Sequence, residues 1–89
     1  MEENYRLKSA EHITTLIPRA GSTAEFAKSI GTTARTVNYW LTGERFPSAE
    51  SVYKMSSVYG VSADYVLGLS DDRTLRHGQK RGLFARIFG

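Results

Sequence analysis

Residues Thr23 to Thr42 read TAEFAKSIGTTARTVNYWLT, and the spacing inside this stretch decides the architecture. Phe26, Ala27 and Ile30 recur at helical intervals up to Gly31, and Val37, Trp40 and Leu41 do so again up to Gly43. Between them, Gly31 supplies a residue able to take positive φ in a tight turn, and Ala27 is small enough for two helices to cross closely. Ser22, three residues before Glu25, forms the pattern of a capping box, and Thr33 is placed to cap the second helix. The stretch therefore predicts two short helices joined by a sharp turn, the second over about 34–42.

Working outward, Ala10, Ile13, Leu16 and Ile17 mark an earlier helix that Pro18 is expected to end near Ile17. After Phe46-Pro47, Ser48 caps a helix whose face is Val52, Met55, Ser56 and Tyr59, closed by Gly60. Ser62 caps a last short turn carrying Tyr65, Val66 and Leu67. No segment sustains alternation of period two, so the expected class is all-α, five short helices in a compact bundle.

The chain has 89 residues, 40% hydrophobic and 24% charged, which suits one small globular domain. It has no cysteine, so disulfides, thiol catalysis and cysteine-based zinc sites are excluded, and a reducing, cytoplasmic setting is expected. No apolar run approaches the ~20 residues of a membrane span, and the acidic start differs from a signal peptide. The net charge of +3 lies entirely after Leu69. Residues 1–69 carry seven Lys/Arg and seven Asp/Glu, whereas 70–89 carry Arg73, Arg76, Lys80, Arg81 and Arg86 against Asp71 and Asp72. A domain over 1–69 followed by a basic linker and tail over 70–89 is the expected division.

The tail ends in Leu83, Phe84, Ile87 and Phe88, which could share one side of two helical turns and offer a surface to a protein partner or a second copy. Enzyme signatures are missing. There is no phosphate-binding Gly-rich loop ending in Lys-Ser/Thr and no Gly-x-Ser-x-Gly elbow. His12 and His77 lack metal-ligand spacing and are expected at the surface, Asp71-Asp72 reads as linker charge, and no cofactor is expected.

The 23–42 stretch resembles the helix-turn-helix of the lambda-repressor-like regulators, also called the xenobiotic-response-element or Cro/C1-type family. The likeness extends through Gly43-Glu44-Arg45-Phe46-Pro47-Ser48, similar to that family's Gly-x-x-x-Pro-Ser loop, and through Gly60 to Gly68, similar to its fifth-helix signature. Thr23 stands where many members carry glutamine, and Leu41 where an acidic residue is frequent.

With Val37, Trp40 and Leu41 inward, Ala34, Arg35, Asn38 and Tyr39 face outward. Their chemistry suits base edges: Arg for guanine, Asn for adenine, and the Ala methyl and Tyr ring for thymine methyls. The resemblance implies that this helix enters the major groove with those four at base edges, while Thr23, Lys28, Thr33, Thr36 and Arg45 meet phosphates. Pairing with Glu44 is the alternative for Arg45. The implied function is a DNA-binding transcriptional regulator, a small bacterial or phage repressor located with the nucleoid. It would bind a palindromic or near-palindromic operator as a homodimer. The rival reading is an antirepressor or antitoxin-like interaction module acting through the tail.

Overall fold

The computed structural model describes residues 3–74. Six helical segments run α1 (Glu3–Thr14), α2 (Ile17–Ala20), α3 (Thr23–Ser29), α4 (Ala34–Leu41), α5 (Ala49–Tyr59) and α6 (Ala63–Leu67). Five are the expected helices, and α2 is a single additional turn. Pro18 does not end the first helix, which closes earlier at Thr14; it sits in the opening turn of α2. There a missing N–H costs nothing, because the first donors of a helix have no intrahelical acceptor, and the fixed φ is already helical.

Four of the helices begin on a hydroxyl that accepts the backbone N–H three residues on: Ser22 from Glu25 at 3.1 Å, Thr33 from Thr36 at 3.2 Å, Ser48 from Ser51 at 3.1 Å, and Ser62 from Tyr65 at 3.1 Å. Each such cap contributes about 1 kcal/mol. The box at Ser22 is only half formed. Among the described residues the Glu25 carboxylate makes no return bond; it stays in water, where its charge complements the start of α3.

α1 packs against both α4 and α6, α3 lies on α4, α2 on α3, and α5 on α6. The core they enclose contains Ile13, Leu16, Phe26, Ile30, Val37, Met55, Val61 and Val66, each at most 2% exposed. Burial of each of these larger side chains stabilises the fold by about 1.5–3 kcal/mol. Val37 and Trp40 enter this core from α4, as the spacing predicts, so α4 is held by its inner face. Two glycines are required by their surroundings. Gly31 makes the turn between α3 and α4 at φ 75°. Gly68 ends α6 at φ 84°, and a Cβ there would stand 3.0 Å from the backbone nitrogen of Ser9. No described helix is long and apolar enough to cross a membrane.

His12 departs from expectation. It is buried, 4% exposed, with its ring stacked on that of Tyr65 at 4.0 Å and 3°. Nδ1 meets the Tyr65 carbonyl and Nε2 the Asp71 carboxylate at 3.0 Å, so both ring nitrogens have a partner. A buried polar ring is tolerated because its hydrogen-bonding capacity is met. His77 lies outside the described residues.

The composition change at Ser70 is not where the folded contacts stop. The Ser62 N–H donates to the Arg73 carbonyl at 3.0 Å, the Ser62 hydroxyl to the Asp72 carbonyl at 3.2 Å, and Val61 bridges Thr74 in antiparallel fashion. Asp71, which the sequence suggests is plain linker charge, is held by Lys8 at 3.0 Å as well as by His12. Residues 70–74 thus form a strap fastened to α1 and to the segment before α6.

The strap gives a pH signature. The hydrogen bond from Lys8, then that from His12, hold the Asp71 carboxyl below its ordinary 3.8, and the Asp71 hydrogen bond raises Lys8 above 10.5. A carboxyl depressed in the folded state contributes stability that is present above its unfolded value and is lost as pH falls through the folded one. The wild-type melting temperature is therefore expected to exceed that of Asp71→Asn near neutral pH, with the gap closing below about pH 4. Thermal melts across that range check this. A gap independent of pH would mean that Asp71 acts by packing and not by charge.

Candidate nucleic-acid interface

The eight residues of α4 rise about 12 Å. Placed 100° apart, Arg35, Asn38 and Tyr39 occupy about 100° of arc opposite Val37 and Trp40. The solvent exposure follows this wheel: Arg35 and Asn38 are exposed, Ala34, Thr36 and Tyr39 half-buried, Val37 and Trp40 buried. The first turn of α4 holds no acidic residue, so the positive end of the helix is not offset locally.

Tyr39 is the organising group of this face. Arg35, one turn earlier, donates from Nε to the Tyr39 hydroxyl at 3.1 Å. Arg45 lies over the Tyr39 ring, its Cζ 4.4 Å from the centroid, and its backbone N–H donates to the Tyr39 carbonyl at 3.1 Å. One phenol ring thus carries a guanidinium on its face and another at its hydroxyl. The ring itself contributes a cation–π attraction of about 0.5–1 kcal/mol to the exposed pair. Arg45 does not pair with Glu44, whose carboxylate instead accepts from the Thr42 hydroxyl at 3.2 Å. Among the described residues neither Arg35 nor Arg45 is ion-paired with a carboxylate.

Thr33 and Thr36 come together at the start of the helix. The Thr33 hydroxyl donates to that of Thr36 at 3.1 Å while accepting the Thr36 N–H. Thr23 opens α3 half-buried and Lys28 is exposed in its last turn. Neither makes a hydrogen bond with the Arg35–Tyr39–Arg45 group, and five residues of helix set the two about 140° apart. Leu83, Phe84, Ile87 and Phe88 lie outside the described residues. The Arg35–Tyr39 contact is an i, i+4 pair legible from spacing. The seat of Arg45 on Tyr39 is not, because it depends on how the loop after α4 folds back.

Two guanidiniums, a carboxamide and a helix start, gathered on the outer side of α4 with no carboxylate ion-paired to either guanidinium among the described residues, make a donor-rich surface suited to phosphates and base edges. The helix-turn-helix family profile matches residues 19–66, which spans α3, the turn, α4, α5 and most of α6. The chain belongs to the lambda-repressor-like, Cro/C1-type helix-turn-helix family.

Within this helix-turn-helix family the chain is 29% identical over 80 residues to an uncharacterised HTH-type transcriptional regulator of Haemophilus influenzae, covering 88% of this chain and 34% of that protein. It is 27% identical over 73 residues to the 26 kDa repressor protein of Escherichia phage HK022, covering 80% and 31% respectively. The chain spans about a third of the length of these relatives. No solved structure matches it. Within the helix-turn-helix frame α3 and α4 are the paired helices, and α4 presents Arg35 and Asn38 exposed on its outer face.

Proposed function

We propose that this chain is the DNA-reading unit of a transcriptional regulator, a repressor that works by occupying its operator. The observation that carries the reading is the division of α4: Val37 and Trp40 are sunk in the core, while Arg35, Asn38 and the Tyr39-borne Arg45 are presented together outside. The repressor relative from a phage supports the direction of regulation.

In this reading Ala34, Arg35, Asn38 and Tyr39 lie at base edges in the major groove, with Tyr39 also bracing its two arginines. Thr23, Lys28, Thr33, Thr36 and Arg45 meet phosphates, which fix register without reading sequence. One such helix covers too few base pairs for useful selectivity. A second copy on a half-site about 34–36 Å away, one turn of DNA, supplies the rest and makes the operator palindromic or nearly so. A division into a DNA-binding unit and a basic segment belongs to the same proposal, with the boundary moved from 69/70 past the strap of residues 70–74, as does a place in the cytoplasm with the nucleoid.

Fluorescence-anisotropy titration of the chain against DNA from its own promoter, and against unrelated DNA, at two salt concentrations tests it. A preference for the promoter fragment is expected to persist as salt rises, because the phosphate contribution falls with counterion release and the base contribution does not. Equal and steeply salt-sensitive binding to every duplex would leave no sequence-reading function to assign.

A further inference from the structure

An open cavity of about 480 Å³ lies between α2, the end of α5 and the strap, lined by Arg19, Tyr59, Gly60, Val61, Arg73 and Thr74. It adjoins the opposite end of α5 from Ser48, the residue that follows the loop after the recognition helix. The 11 residues of α5 separate those ends by about 16 Å. We propose that this cavity is a binding site for the phosphate group of a small molecule, held between the guanidiniums of Arg19 and Arg73.

The charge balance motivates the site. Two arginines line one small cavity, and among the described residues neither is ion-paired with a carboxylate. The Asp72 carboxylate stands beside the cavity, bonded to the Thr74 N–H, and the carboxyl end of α5 adds a helix-dipole charge of about −0.5; together they fall short of the two full positive charges. An anion offsets the excess. Each guanidinium presents a planar fork of donors; a carboxylate has two oxygens and satisfies one fork, whereas a phosphate monoester has three free oxygens and serves two.

One guanidinium and the backbone that carries the other are held in place. Arg19 sits over the Tyr59 ring, its Cζ 5.5 Å from the centroid. The backbone of Arg73 and Thr74 is fixed by the strap: the Arg73 carbonyl takes the Ser62 N–H, Thr74 bridges Val61, and the Thr74 N–H donates to Asp72 Oδ1 at 3.0 Å, so the exposed Arg73 side chain starts from a set position. Nothing stands within 4 Å of where a Cβ on Gly60 would be, so the cavity is open to a ligand there. Its volume is larger than a bare phosphate ion and falls within the range of about 300–1,000 Å³ typical of small-molecule sites. Since the strap contributes half of the charge, occupancy would favour its docked position.

The test is a proton–nitrogen correlation NMR titration of the full chain with inorganic phosphate and with pyrophosphate, ionic strength being held constant with chloride. The amides of Gly60, Val61 and Thr74 are expected to shift saturably, and affinity to fall about tenfold in each of Arg19→Gln and Arg73→Gln. Both side chains are exposed, and thermal melts of the variants confirm that they remain folded. Three results would overturn the proposal: shifts no larger than those in the chloride control, equal affinity in both variants and wild type, or movement of these amides by a DNA duplex but by neither free phosphate.

Discussion

The double variant Arg35→Ala/Asn38→Ala is expected to lose its preference for operator over unrelated DNA while keeping its fold. Each bidentate contact to a base edge contributes about 1–3 kcal/mol of discrimination, so removing two lowers specific affinity by about 2–6 kcal/mol, or roughly 30-fold to more than 10⁴-fold. Both side chains are exposed, and alanine is the better helix former, so the melting temperature should hold or rise slightly. Non-specific binding should weaken only by the charge of one arginine. Anisotropy with matched operator and scrambled duplexes separates these effects. If the double variant still prefers the operator, the base-reading assignment to α4's outer face is wrong, whatever happens to total affinity.

The second large effect is on stability. Phe26→Ala is expected to cost about 3–5 kcal/mol, because the ring is fully buried and its removal leaves a cavity that neighbours fill incompletely. The ring also packs at 5.3 Å and 34° against Tyr59, whose hydroxyl is bonded to that of Ser29 at the end of α3. A small domain has a total stability near the low end of about 5–15 kcal/mol, so the variant should be close to its unfolding midpoint in water. Urea titration followed by circular dichroism checks this, with the midpoint falling sharply. DNA binding would then fall through loss of folded protein, and operator and unrelated DNA would be affected alike. A cost below about 1 kcal/mol would mean that α3 is not anchored as the structure shows.

These two variants also mark which parts of the molecule a sequence can disclose. The hydroxyl caps at Ser22, Thr33, Ser48 and Ser62 and the apolar faces of α3 to α6 were legible because cap and periodicity are local: the interacting atoms lie within four residues of one another. Pro18 misled because proline is equally at home after a helix and in the first turn of the next, and only tertiary packing of α2 on α3 selects between these. His12 and Asp71 are 59 residues apart, so nothing near either betrays their contact. The same is true of the strap, whose polar composition resembles an unattached linker although its backbone is bonded to Ser62. At the candidate site, the outward positions of α4 could be listed from the wheel. What Tyr39 does between two arginines required the loop after α4 to be in place.

That arrangement has a consequence for how Arg35 can read a base. A guanidinium offers two bidentate edges, a side-on edge using Nε with one terminal nitrogen and an end-on edge using both terminal nitrogens. Tyr39 occupies Nε, which leaves the end-on edge to face outward. In the proposed complex the arginine would meet a base through that end-on edge, with part of its torsional freedom already surrendered before DNA arrives. Lysine, with a single charged tip and no second nitrogen to anchor, cannot reproduce a side chain that is tethered at one point and reads at another.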